Sequence, residues 1–225
     1  MRRAFTLLPL LALLAGCLGA PQPAAPRRHA ARQDFRPSGP GFVPSPDAQE
    51  CLADLGATQA NFTPLPDQYF GAGCSTVNAV RLTSLRSDFA SLTLSNLGPV
   101  TCPLANTFAG WARFGVDRAA RQILGSPLVK IETMGSYNCR NVAGSEHRSA
   151  HAKANAIDVS GFVLADGHRI TVLADWSGGT PAERRFLQVI HASACKRFGT
   201  VLGPGYNAAH QNHFHVELSS GHFCR

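Results

Sequence analysis

The chain has 225 residues, 44% of them hydrophobic and 16% charged. That is enough apolar material for one sizeable domain and excludes wholesale disorder. Lys and Arg number 21 against 14 Asp and Glu, a net charge of +7. No Lys/Arg-rich run follows from this, so nucleic acid is not expected as a partner, and a mild positive field suits an anionic wall or membrane surface.

In chain order, Arg2 and Arg3 precede a short apolar run, Phe5 to Ala15, too short for a stable bilayer span. The run ends in Leu14-Ala15-Gly16-Cys17, which resembles a bacterial lipobox. Residues 1–16 therefore read as a lipoprotein signal peptide, with Cys17 lipidated and holding the chain to a membrane. Leu18, rather than Asp, after that cysteine points to the outer membrane of a diderm cell, with the protein facing the periplasm. Residues 17–47 read as the lipidated cysteine and a Pro/Ala-rich linker, extended and solvated. Residues 48–225 form the folded domain, expected to be a monomer. Six cysteines remain, an even number that implies disulfides in an exported protein. Nearest-neighbour pairing closes the shortest loops and gives Cys51–Cys74, Cys102–Cys139 and Cys195–Cys224. The absence of any CxxC argues against a cysteine zinc site.

Ala48–Leu55 predicts a short helix stopped at Gly56, and Thr76–Leu82 and Phe89–Leu94 predict strands. Pro103–Leu124 predicts a helix with Leu104, Phe108, Trp111, Ala112 and Phe114 on its apolar face, broken near Gly115 and ended at Gly125-Ser126-Pro127. Leu128–Met134 predicts a strand. Ala156–Leu164 and Arg169–Ala174 flank the turn dipeptide Asp166-Gly167 as a hairpin. Thr180-Pro181-Ala182-Glu183 is a capping box opening a helix that carries Phe186, Val189, Ile190 and Phe198. Val201-Leu202 and His213–Leu218 close the chain as strands. The fold class is α+β, a mainly antiparallel sheet with flanking helices.

The chemistry concentrates at the C-terminal end. In a strand, His213, His215 and Glu217 share one face, with Phe214, Val216 and Leu218 on the other. His151 and Asp158 lie seven residues apart at the start of the hairpin. Two imidazoles and a carboxylate, with one position left open, make a catalytic zinc set. His151, Asp158 and one histidine of the HxH would supply it. The other histidine would take a proton from a zinc-activated water.

Ser149-Ala150-His151-Ala152-Lys153-Ala154-Asn155-Ala156-Ile157-Asp158, together with the downstream HxH, resembles the signature of D-alanyl-D-alanine carboxypeptidases. These VanY-like enzymes belong to the wider LAS group of zinc peptidases, which also contains lysostaphin and hedgehog. Ala154 departs from that pattern, where Gly is frequent. A closer resemblance is to the extensin-like C-terminal domain family, carried by Gly135-Ser136-Tyr137-Asn138-Cys139-Arg140, the His151–Asp158 segment, His210-Gln211-Asn212-His213-Phe214-His215 and Cys224-Arg225. The resemblance spans about Cys51 to Arg225. It implies a LAS-type, hedgehog/DD-peptidase-like fold. It also implies zinc on His151, Asp158 and His215, His213 as catalytic base, and Arg140 binding substrate or an oxyanion. His210, Ser149 and Glu217 are expected in supporting roles, Glu217 by orienting His213.

Two functions compete on this reading. One is a zinc-dependent peptidoglycan peptidase, carboxypeptidase or endopeptidase, acting on stem peptides or cross-links with D-amino acids. The other is a non-catalytic, zinc-containing wall-binding or structural lipoprotein on the same fold.

Overall fold

The computed structural model describes residues 43–225. The signal peptide, Cys17 and most of the linker lie outside the described residues. Helix α1 (Pro46–Ala57) begins two residues before the expected Ala48, because Ser45 caps it by accepting the Ala48 amide and Pro46 suits the first helical position.

Six short strands follow: β1 (Asn61–Pro64), β2 (Gln68–Gly71), β3 (Cys74–Thr76), β4 (Ala79–Arg86), β5 (Ser91–Ser95) and β6 (Pro99–Thr101). Helix α2 (Cys102–Trp111) continues into two π-helical stretches, Ala112–Asp117 and Ala120–Leu124. Gly115 thus widens the helix where a break was expected. It is needed for close packing, since a Cβ there would lie 2.6 Å from Ser193 Oγ and 2.9 Å from the Trp111 ring. Gly125, in the left-handed region at φ 74°, ends the run as expected.

Next come β7 (Leu128–Gly135), β8 (Ala156–Leu164) and β9 (Arg169–Thr171). The second arm of the hairpin is shorter than expected. Thr171 accepts the Ala174 amide and so caps a short helix, α3 (Val172–Asp175), where the strand was to continue. Helix α4 (Pro181–Cys195) has the full capping box between Thr180 and Glu183. Its buried face is Phe186, Leu187, Ile190 and Ala194, while Val189 is exposed. Strands β10 (Thr200–Leu202), β11 (Phe214–Glu217) and β12 (Phe223–Cys224) complete the chain.

Ten strands form one sheet, ordered β1-β4-β5-β7-β8-β11-β10-β12, with β6 on β4 and β9 on β8. Only the β5·β7 and β10·β12 pairs in it are parallel. The fold is therefore α+β with a mainly antiparallel sheet. In the core Trp111, Phe108, Phe162, Phe186 and Phe214 are fully buried. The Trp111 indole donates to the Ile190 carbonyl, which satisfies its only polar atom.

Two of the expected disulfides are corrected. The bonds are Cys51–Cys102, Cys74–Cys139 and Cys195–Cys224. The pairing follows packing rather than loop length. Helix α1 lies on α2, which brings Cys51 to Cys102. Cys74 in β3 meets the segment after β7, where Arg148 also donates to the Ala72 carbonyl. Only Cys195–Cys224 joins the neighbours that short-loop reasoning selected.

Candidate metal centre

Strand alternation builds the site. Phe214 and Val216 of β11 pair with Val159 and Ile157 of β8 on the core side. That register sets His215 directly opposite Asp158 on the other side. His151 comes from a 3-10 turn, Ala150–Lys153, capped by Ser149, whose Oγ accepts the His151 amide at 3.3 Å. The turn ends at Ala154, in the left-handed region at φ 53° and fully buried. That conformation suits Gly better than a residue with a Cβ, so Ala154 carries backbone strain here. Asn155 then fastens the turn: its amide donates to the Leu218 carbonyl at 2.7 Å, and its Oδ1 accepts from Thr101.

Three side-chain atoms converge. His151 Nε2 lies 3.2 Å from Asp158 Oδ1 and 3.1 Å from His215 Nδ1, and His215 Nδ1 lies 2.9 Å from the same Asp158 oxygen. The far nitrogens decide what these atoms are. His151 Nδ1 faces the Ser136 carbonyl at 3.1 Å, and a carbonyl only accepts, so Nδ1 carries the proton. His215 Nε2 faces Glu217 Oε2 at 3.0 Å, so it carries a proton and leaves Nδ1 as the nitrogen that can ligate. With His151 Nε2 and His215 Nδ1 both deprotonated, two imidazole lone pairs and a carboxylate oxygen would point at one another. Such an arrangement needs a cation or an extra proton between them. A tetrahedral zinc with bonds of about 2.0–2.1 Å has ligand-to-ligand edges of about 3.3 Å, close to all three separations. The donor set and the outer partners of both rings thus fit a zinc-type ion.

His213 stands beside this triangle. Its Nδ1 is 2.8 Å from Asn212 Oδ1 and its Nε2 is 3.4 Å from Asp158 Oδ1. The donor atoms that lie within 4.8 Å of one another are those of His151, Asp158 and His215. Burial pushes His213 down from the ordinary histidine value; Asp158 opposes this, and His215, His151 and Arg140 add to it. His213 is a neutral ring with a lone pair toward the site. Burial also disfavours a charged His215, but the hydrogen bonds to Asp158 and Glu217 outweigh it and push His215 up to about 9. Burial works against the Asp158 carboxylate as well, yet its contacts with the His151 and His215 rings hold it far below the carboxylate range.

These residues open into a cleft of about 400 Å³. Arg140 lines it from a loop fixed by the Cys74–Cys139 bond and by the Ser149 amide on the Arg140 carbonyl. Its side chain is exposed, with one long hydrogen bond, 3.4 Å, to the Asn141 carbonyl. His210 lines the cleft too. Its ring sits against those of His213 and His215, but its Nδ1 bonds to Asn207, and burial first, then the neighbouring His213 and His215, push it down to about 4. Glu217 departs from expectation: it orients His215, because His215 lies between it and His213 on the strand face. Asn212 supports His213 instead, a role that sequence reasoning missed although the residue adjoins the motif. Tyr206 and Phe223 also line the cleft, packed edge-on against each other. Trp111 belongs to the core and Trp176 packs on it.

The sequence model of the extensin-like protein C-terminus family matches residues 49–225. The chain belongs to that family. Comparison with curated proteins and with solved structures gave no match. The family match covers both halves of the site, from the segment after β7 to the terminal Cys224-Arg225.

Proposed function

We propose that the protein is a zinc-dependent peptidase of the D-alanyl-D-alanine carboxypeptidase-like, LAS type, acting on peptidoglycan stem peptides as a cell-envelope lipoprotein. The observation that carries this reading is the convergence of His151 Nε2, His215 Nδ1 and an Asp158 oxygen, with the His213 imidazole beside them, in an open cleft. His151, Asp158 and His215 would hold the ion, and Glu217 and Ser136 keep the two rings in the ligating tautomer. Zinc, when bound, supplies a Lewis acid that polarises a carbonyl and acidifies water. His213 Nε2 accepts a proton and delivers it to the departing amine, with Asn212 Oδ1 holding the imidazolium through Nδ1. Arg140 is exposed at the cleft, where it would meet a substrate carboxylate or a developing oxyanion, and no carboxylate of the described residues is hydrogen-bonded to it. The Cys17 lipid would tether this domain at the wall it acts on.

The test is incubation of the zinc-loaded protein with purified muropeptides, read by mass spectrometry. Loss of a D-residue or of a cross-link, abolished by a chelator, supports the proposal. A protein that binds one zinc yet leaves every muropeptide intact would instead be the wall-binding module.

A further inference from the structure

A second reactive constellation lies behind the cleft, on the opposite face of β11. Helix α4 presents His191 and Cys195 one turn apart, and His191 Nδ1 lies 3.9 Å from Cys195 Sγ, the sulfur bonded to Cys224. His191 is wedged between Trp176 and Phe214, with ring centroids at 5.7 and 5.1 Å. Its Nε2 is buried with no well-aligned hydrogen bond, although the Arg225 main chain adjoins the ring. The site chemistry proposed above uses none of these groups. Both cysteines of this bond are half-buried, whereas each of the other two bonds has one cysteine sealed in the core, Cys102 and Cys74, although the Cys74 partner, Cys139, is exposed.

We infer that Cys195–Cys224 is a thiol–disulfide exchange site, with His191 assisting the departure of the Cys195 sulfur and a dithiol as the reducing partner. An incoming thiolate attacks Cys224 Sγ. The sulfur–sulfur bond breaks, and its electron pair leaves on Cys195 as a thiolate, which accepts a hydrogen bond from His191 Nδ1. The second thiol of the partner then attacks the mixed disulfide on Cys224. Two electrons and two protons pass in all: the protein gains two thiols and the partner becomes a disulfide. The carbonyls at the end of α4 disfavour a thiolate there, so the imidazole is what makes Cys195 the better leaving group.

The exchange reaches the cleft through strand β12. The terminal segment is held by the disulfide and by main-chain bonds from Phe223 to Gly199, Arg225 to Val201 and Gly203 to Arg225. Phe223 packs edge-on against Tyr206, and both line the cleft. Three main-chain hydrogen bonds alone do not hold a five-residue tail against its ordering entropy. Opening the bond therefore frees one wall of the cleft while β11 and its imidazoles stay in the sheet.

The experiment treats the full-length protein with limiting dithiothreitol, traps thiols by alkylation and maps them by peptide mass spectrometry; a parallel sample receives oxidised-to-reduced glutathione mixtures. Cys195 and Cys224 should appear as thiols about tenfold sooner than the other four cysteines, and glutathione should be trapped on Cys224. His191→Phe should slow that opening about tenfold and leave the other two bonds unchanged. First opening at Cys74–Cys139, glutathione on Cys195, or an unchanged rate in His191→Phe would each overturn the inference. The position of the glutathione adduct is read on the unmutated protein, so the result stands even if His191→Phe fails to fold.

Discussion

Metal binding should expel a proton from the site. In the metal-free protein, His215 lies between two carboxylates and titrates near 9, so at pH 7 the ring is charged and its Nδ1 proton faces Asp158. A zinc ion ligated by Nδ1 must displace that proton. Two pH units below the pKa cost about 2.7 kcal/mol, or about 100-fold in apparent affinity relative to the fully neutral ring. Apparent affinity should thus rise about tenfold for each pH unit between about 6 and 8. Isothermal titration in two buffers of different ionisation enthalpy should count close to one proton released per zinc at pH 7. The linked stability has a fixed sign. His215 is raised above its unfolded value, so its ion pair stabilises the metal-free fold fully below about 6.5 and loses that contribution as pH rises through about 9. Glu217→Gln removes one of the two carboxylates, so it should flatten the pH slope while weakening the intrinsic affinity about 10–100-fold. Affinity independent of pH from 6 to 8, with no proton released, would refute the reading of His215 as a charged ring that must lose a proton to ligate the ion.

His213→Ala should keep stoichiometric zinc and the native melting profile while lowering muropeptide hydrolysis about 10²–10⁴-fold; loss of zinc would make His213 a ligand instead. Ala154→Gly should leave stability within about 1 kcal/mol of the parent in urea unfolding, because relief of about 1–2 kcal/mol of left-handed strain offsets a lost buried methyl and a more flexible unfolded chain. Ala154→Val should destabilise by several kcal/mol at the same position, and equal effects of the two would deny the strain. A non-reducing peptide map should show Cys51 joined to Cys102, and replacing both by Ser should cost about 4 kcal/mol for a closed loop of 51 residues.

Local signals explain which elements were legible in the sequence. The α4 capping box, the Gly125 stop and the two long strands Leu128–Gly135 and Ala156–Leu164 are written in consecutive residues, and each formed where its pattern lay. Strands β1, β2, β3, β6 and β12 are two to four residues long and exist by virtue of partners elsewhere in the chain. No local pattern announces them. Two of the three disulfide pairings failed for the same reason, since Cys51 and Cys102 meet through the packing of α1 on α2.

The candidate site divides along the same line. His151, Asp158 and His215 were legible as residue types at a spacing, but the tautomers that would let both rings ligate an ion depend on the Ser136 carbonyl and Glu217, and only the fold supplies these at the right nitrogens. The geometry in turn depends on the core. Phe214 and Val216 are buried on one face of β11, so alternation aims the intervening His215 at Asp158. A slip of one residue would bury an imidazole in place of Phe214 and put the phenyl ring into the cleft. Losing a buried Phe costs about 3–5 kcal/mol, and an unpaired imidazole in its place adds to that. The apolar face therefore holds the register that the polar face requires, and the convergence of three acceptors within 3.2 Å is a consequence of how β11 packs as much as of which side chains it carries.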